Sequence, residues 1–301
     1  MVPMRRMLVL CGLLMATAVF GAEKKYSETF SLNSGGELLV NLDVGNMKVE
    51  TWNRNVVEFS AKVSGSSSFV EDFKFEYDSG DGNRVEINGT RSIKKRWGWN
   101  SGTQRVNATL KIPNVCNVKL KTSGGNIDLE SVDGEVEVRT SGGNLAISNV
   151  KGSLLAKTSG GNIKVGAVQG NSRLSTSGGD IYLEELAGDL DAHTSGGNIV
   201  LDGVTGQVVA KTSGGNIRLT VTNPYQGIQA STSGGDIRCY VEGDLNADVS
   251  AKTSGGRVNI DFPVTIQGKI SKSRVEGKIN KGGPELNLRT SGGNISVLRA
   301  K

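Results

Sequence analysis

Two consecutive stretches decide the fold: Thr140-Ser141-Gly142-Gly143-Asn144-Leu145-Ala146-Ile147 and, 18 residues on, Thr158-Ser159-Gly160-Gly161-Asn162-Ile163-Lys164-Val165. The tetrapeptide Thr-Ser-Gly-Gly begins at Thr122, Thr140, Thr158, Thr176, Thr194, Thr212, Thr232, Thr253 and Thr290. The first five intervals are 18 residues, followed by 20, 21 and 37. The last interval reads as two periods with one degenerate copy inside. A short fixed period of this kind marks stacked supersecondary units.

Counting the threonine as position 1, position 6 holds Ile127, Leu145, Ile163, Ile181 and Ile199, and position 8 holds Leu129, Ile147, Val165, Leu183 and Leu201. Position 15 is apolar at Val136, Leu154, Leu190 and Val208, with Ser172 the exception; position 17 holds Val138, Ala156, Leu174, Ala192 and Ala210. Alternation at period two is a strand signal, so each repeat carries two short strands. The second glycine-containing turn is at position 13, as in Gly152 and Gly170. Asparagine recurs at position 5, with Asp180 and Asp236 standing in twice. Such columns favour a solenoid over hairpins, because a solenoid stacks each residue on its own counterpart about 4.8 Å away. The expected fold is all-β: a parallel β-helix with 18-residue coils and an irregular β cap region at the N-terminal side. The general chirality of β-crossovers predicts a right-handed coil.

Glycine supplies 42 of the 301 residues, about twice the usual share, yet no Gly-X-Y period makes a collagen of it. Against 35 basic residues stand 30 acidic ones, so no nucleic-acid partner is demanded. A single histidine, His193, makes histidine-based metal or acid–base chemistry a poor reading, and no cofactor or metal site is expected.

Residues 1–22 read as a signal peptide: Arg5 and Arg6 are basic, Leu8 to Met15 are apolar, and Ala16, Ala18, Gly21 and Ala22 are small. The apolar run is too short to span a bilayer, and no later run supplies a transmembrane anchor. Leu10 before Cys11 does not fit a lipoprotein signal. The expected location is the periplasm, the cell surface or the medium. Cys116 and Cys239 then lie about seven coils apart, on the order of 34 Å, beyond the reach of a disulfide.

Residues 23–112 differ from the repeats of 113–301. Ten of the fifteen aromatic residues lie between Tyr26 and Trp99, which calls for a broader core than a thin coil provides. Met47 to Trp52, Val56 to Val63, Phe73 to Tyr77, Arg84 to Ile87 and Val106 to Ile112 read as strands. No window shows a helical period. Val44-Gly45-Asn46-Met47 looks like a worn copy of the repeat's Gly-Asn-Ile step. The region is expected to cap the first coil, since an open solenoid end is an unpaired edge.

Gly45-Asn46-Met47-Lys48-Val49-Glu50 with Trp52, then Leu110-Lys111-Ile112-Pro113, then the Ser-Gly-Gly-Asn-Ile copies, and finally Val275-Glu276-Gly277-Lys278-Ile279-Asn280 with Gly282-Gly283, resemble the bacterial "putative adhesin" family of β-strand-repeat proteins. The resemblance covers nearly all of the chain after the leader. It implies a β-solenoid and brings no catalytic or binding residues.

Parallel β-helices also carry polysaccharide-cleaving enzymes, whose chemistry needs carboxylates within about 5–10 Å of one another. The aligned acids Asp180 and Asp236 are three coils apart, roughly 14 Å, and do not converge. Position 18 forms a basic column, with Lys121, Arg139, Lys157, Lys211 and Lys252, diluted by Ser175, His193 and Ser231. It reads as a solvated edge or as an anion-facing stripe. Strand parity turns the repeat threonines inward, away from any water-ordering face. The loop Arg91-Ser92-Ile93-Lys94-Lys95-Arg96-Trp97-Gly98-Trp99 joins four cations to two tryptophans, and Arg91, Lys94, Lys95, Arg96, Trp97 and Trp99 are the candidate binding residues. The leading functional reading is a non-enzymatic, exported solenoid that binds a cell-envelope polysaccharide or a protein partner. The other two are a carbohydrate-active enzyme on the same scaffold and a structural element that self-associates through its end coils.

Overall fold

Inward apolar residues at positions 6, 8, 15 and 17 need two strands to face one another, and the chain builds two 14-stranded sheets from them. The computed structural model describes residues 22–92, 104–222, 225–266 and 270–300. The leader lies outside the described residues. Sheet 1 takes the strands that follow Gly-Gly-Asn, such as Leu145–Lys151, Ile163–Gln169 and Ile181–Ala187; sheet 2 takes those that precede the threonine, such as Leu154–Lys157, Ser172–Ser175 and Leu190–His193. Strands of successive coils pair parallel and in register, Ile163 on Ile181 and Ala156 on Leu174, as the columns demand. One continuous apolar core runs from Leu32 to Val297.

Two ladders along the axis hold the coils at the Thr-Ser-Gly-Gly corner. Each threonine is buried, and its hydroxyl donates to the carbonyl of the second glycine of the coil beneath, as Thr176 Oγ1 does to Gly161 O at 2.8 Å. The same oxygen accepts from its own coil, Gly179 N–H at 3.4 Å. Beside it, each position-5 side chain accepts the N–H of the next: Asn162 Oδ1 from Asp180 at 2.8 Å, and Asp180 Oδ1 from Asn198 at 2.6 Å. The ladder needs only an acceptor oxygen, which is why aspartate can replace asparagine at 180 and 236.

The two glycines of the corner are not equivalent. A Cβ on Gly179 would fall on Gly161 O, inside van der Waals contact, whereas one on Gly178 would lie an ordinary 3.5 Å from Gly160 O. At the opposite turn Gly170 has φ +147°, a conformation that side chains other than glycine's rarely adopt.

The order of coils departs from the order of the chain at both ends. The interval of 37 residues before Thr290 was expected to hold a degenerate coil stacked in sequence. Instead, Glu285–Arg289 and Ile295–Arg299 slide in between the Thr232 coil and the Thr253 coil. Thr290 accordingly donates to Gly235 O at 2.8 Å, and Thr253 to Gly293 O at 2.7 Å. The residues between form Arg274–Ile279, antiparallel to Ala247–Lys252, and then a turn with Asn280 at φ 52° and Gly282 at φ 75°. At the other end Glu37–Leu42 and Asn46–Trp52 lie between the strands of residues 84–113 and those of the Thr122 coil. Asn46 Oδ1 accepts from Asn126 N at 2.9 Å, so the worn copy at Val44–Met47 is the first rung of the ladder.

Beyond residues 84–113 the strands turn antiparallel. Val56–Gly65 pairs with Arg105–Pro113, Ala22–Ser31 with Val56–Gly65, and Phe73–Ser79 with Arg84–Arg91. A cluster of rings fills the widened space, with Phe75 4.8 Å from Tyr26, 5.0 Å from Phe59 and 5.3 Å from Phe73 between centroids. The region is β as expected, with one short helix added, Ser67–Asp72, capped by the Ser66 hydroxyl and burying Phe69 and Val70. Six residues are too few for a helical period to show. The outermost strand, Ala22–Ser31, carries Glu23, Lys24, Lys25 and Glu28, charges that discourage pairing with another chain.

Three outcomes follow from this packing. Gly179→Ala is expected to lower the thermal midpoint sharply, or to prevent folding, while Gly178→Ala shifts stability by less than about 1 kcal/mol; paired denaturation curves read the contrast, and equal effects would contradict the assigned close approach. Ser172, buried between Leu154 and Leu190 with its hydroxyl unpartnered, is a second test. Ser172→Ala should stabilise the protein by about 1 kcal/mol, since a desolvated hydroxyl without a partner costs that much or more. Cys116 and Cys239 are both free and buried, and burial pushes each thiol up to about 12. At pH 8 both therefore stay protonated, and a thiol-specific chromophore should leave them unlabelled in the native protein and modify both once denaturant unfolds it.

Candidate functional site

Of the loop proposed from sequence, Arg91 is described and Lys94, Lys95, Arg96, Trp97 and Trp99 lie outside the described residues. Arg91 closes the strand Arg84–Arg91; its N–H donates to Asp43 Oδ2 at 2.9 Å and its guanidinium sits 5.4 Å over the Phe69 ring. Those contacts tie it to the cap. The register shows where the loop is rooted. Gly89 pairs with Leu42, which pairs with Thr122, and Asn107 pairs with Asn46, which stacks under Asn126.

Asp180 and Asp236 occupy one column of sheet 1, three strand steps and roughly 14 Å apart. Each is spent on the ladder. Asp180 also receives Tyr182 Oη at 3.0 Å, and Asp236 receives Arg238 Nη2 at 2.8 Å. Among the described residues no three histidine, cysteine or carboxylate side chains gather as a metal site would need.

The repeat columns did not point to one concave feature. A groove of about 520 Å³ runs along the outer face of sheet 2 from Glu37 to Val209, crossing seven strands, with Leu155, Arg173, Asp191 and Gln207 in its lining. Some of its charges are paired. Across coils, Lys119 Nζ lies 2.8 Å from Glu37 and Arg173 Nε 3.2 Å from Asp191; within one strand, His193 Nδ1 lies 2.7 Å from Asp191. The pairs are half exposed and each contributes little to stability. The lining holds Glu37, Glu135, Glu137, Asp189 and Asp191 against Lys119 and Arg173, so the groove carries an acidic excess. The arrangement offers hydrogen-bonding groups at a fixed axial repeat and no pair of free carboxylates to cut a glycosidic bond.

Position 18 forms a true column beside this groove, and the inserted coil adds to it a residue that reading in chain order leaves out. Arg289 pairs with Ser231 on one side and with Lys252 on the other. The signal was present, since Arg289 precedes Thr290 as Lys252 precedes Thr253, but their adjacency follows from the insertion alone.

No helix of the described residues is long and apolar enough to cross a membrane. No curated protein matches the sequence. Among solved structures, a "putative adhesin" from Parabacteroides merdae is 13% identical, with 92% of this chain and 97% of that one covered at a TM-score of 0.47. Another protein so described, from Bacteroides fragilis, is 12% identical with the same coverage and a TM-score of 0.37. A third, from Parabacteroides distasonis, is described as a "putative lipid binding protein", at 14% identity, again 92% and 97% covered, with a TM-score of 0.34. The family model described as Toastrack DUF4097 matches residues 36–298, and the chain belongs to that family.

Proposed function

We propose that the protein is an exported, non-enzymatic solenoid of the cell envelope that works by presenting a long, regular face to a polysaccharide or protein partner. One observation carries this reading. The outward columns run in register from coil to coil, and their carboxylates are used in ladders and ion pairs instead of converging on a reaction centre. A rigid lattice of donors and acceptors with a repeat of about 4.8 Å suits a partner that is itself extended. The leader of residues 1–22 supplies the export step, and Arg91, Lys94, Lys95, Arg96, Trp97 and Trp99 supply an additional contact to the partner.

The test is equilibrium binding of the protein lacking its leader to purified envelope fractions and to a glycan array, with product release read in the same wells. Saturable binding without turnover is expected. Release of product, lost on Asp180→Asn, would overturn the reading in favour of a carbohydrate-active enzyme. Binding that survives Trp97→Ala together with Lys94→Ala/Lys95→Ala/Arg96→Ala would take the loop out of it.

A further inference from the structure

The position-18 column crosses nine strands of sheet 2 from Lys121 to Lys252, roughly 38 Å at the strand spacing. It contains no carboxylate. Two of its members have a carboxylate beside them from the neighbouring outward column, Arg139 at Glu137 and His193 at Asp191. Lys121, Lys157, Lys211, Arg289 and Lys252 have no carboxylate within ion-pair distance among the described residues. The corner serines flank the column along its length and are exposed, as are the first glycines, so no bulky side chain screens the cations from that side.

At one end the column closes into a site. The inserted coil sets Arg289 beside Lys252, and the antiparallel strand sets Arg274 on the other side of Lys252. Three cations thus occupy three adjacent strands, and the one carboxylate in contact with them is Glu276, 2.6 Å from Arg274. Like charges side by side on paired strands repel. Beside Lys252 and Arg289 lies a cleft of about 210 Å³ lined by these two and by Ser231, Ser254 and Ser291, among others. Ser231 opens it, being a short side chain where the next coils carry long ones. Two cations and three hydroxyls facing one small space form a receptor for a carboxylate or sulfate.

We propose that this edge binds a linear acidic polysaccharide, with one acidic group seated between Arg289 and Lys252 and later ones spaced along the column towards Lys121. The inference rests on the reading of the protein as a binder of envelope polymers and names the chemistry of the polymer. A straight row of cations matches a chain whose charges repeat along one axis. The outward columns on either side hold no aromatic residue, so the stacking platforms that single-stranded nucleic acid uses are missing. Arg289 and Lys252 lie one strand step apart, within a screening length of about 8 Å at physiological salt, so an acidic group meets them as one field, while the free lysines follow at two or three strand steps, about 10–14 Å, along the column.

The experiment is calorimetric titration of the purified protein with polygalacturonate and heparin, with neutral dextran and polyadenylate as comparisons. The acidic glycans should bind, more weakly as salt rises, and dextran should not. Lys252→Ala/Arg289→Ala should weaken binding by about tenfold or more, and adding Lys121→Ala/Lys157→Ala/Lys211→Ala should weaken it again. Arg218→Ala/Arg238→Ala, an adjacent pair on the outer face of sheet 1, should leave it unchanged. Thermal unfolding would show that each variant is folded. Unchanged affinity in folded Lys252→Ala/Arg289→Ala, equal weakening by the sheet 1 pair, or tighter binding of polyadenylate would overturn the proposal. Capture of an envelope fraction that persists in Lys252→Ala/Arg289→Ala would remove the acidic-glycan site and leave the broader reading standing; no capture of any fraction by the unaltered protein would remove both.

Discussion

Everything in this molecule depends on how closely one backbone passes another at the Thr-Ser-Gly-Gly corner. The second glycine of each coil rests against the carbonyl of the same glycine one coil below, with no room for a Cβ. That carbonyl points into the core, where the apolar side chains offer it nothing. The threonine hydroxyl of the next coil satisfies it, and satisfies its own coil's N–H as well. An unpaired buried carbonyl costs on the order of 1–3 kcal/mol, so the threonine and the glycine are one requirement. The close approach creates a buried polar group, and the hydroxyl pairs it. The nine threonines of the repeat all make this bond, including Thr122, whose partner Gly45 belongs to the region before the regular repeats.

Much of this was legible in the sequence. Inward positions followed from alternation at two residues, and the inward threonine followed from the parity of positions 15 and 17. The asparagine column announced an axial ladder, although its bonds run from side chain to backbone. The coil order at the ends was hidden for a physical reason. Every coil carries the same apolar columns, so residues 285–299 fit against the Thr232 coil as well as against any other. What distinguishes the neighbours is confined to the short connections around Leu245, Asn246 and Asn280–Gly283, which carry no periodic signal. The helix at Ser67–Asp72 escaped because its one and a half turns show no period, and only Ser66 hints at a cap.

The candidate sites divide along the same line. The basic column could be read from the repeat, because it is periodic. The Lys252–Arg289 cleft could not, because it joins residues 37 apart through a topology that periodicity does not encode. A solenoid makes its recognition surface by repetition and its specific sites by breaks in the repetition. Here the breaks are Ser231, a short residue in a row of long ones, and the inserted coil beside it.

The tucked-in end coils also set the timetable of folding. Coils from Thr122 to Thr232 stack in chain order, so each has its template as soon as it is made. The Thr253 coil does not. Its neighbour in the finished stack is the Thr290 coil, which is made after it. Sequential zippering from one end therefore halts at the Thr232 coil, and the segment from Ala247 to Ile279 waits for Glu285–Arg289 and Ile295–Arg299 before it can join the stack. Only a molecule delivered to its last coil can close, so a truncated or proteolytically clipped chain lacks its far end as a folded unit and loses more than the residues removed.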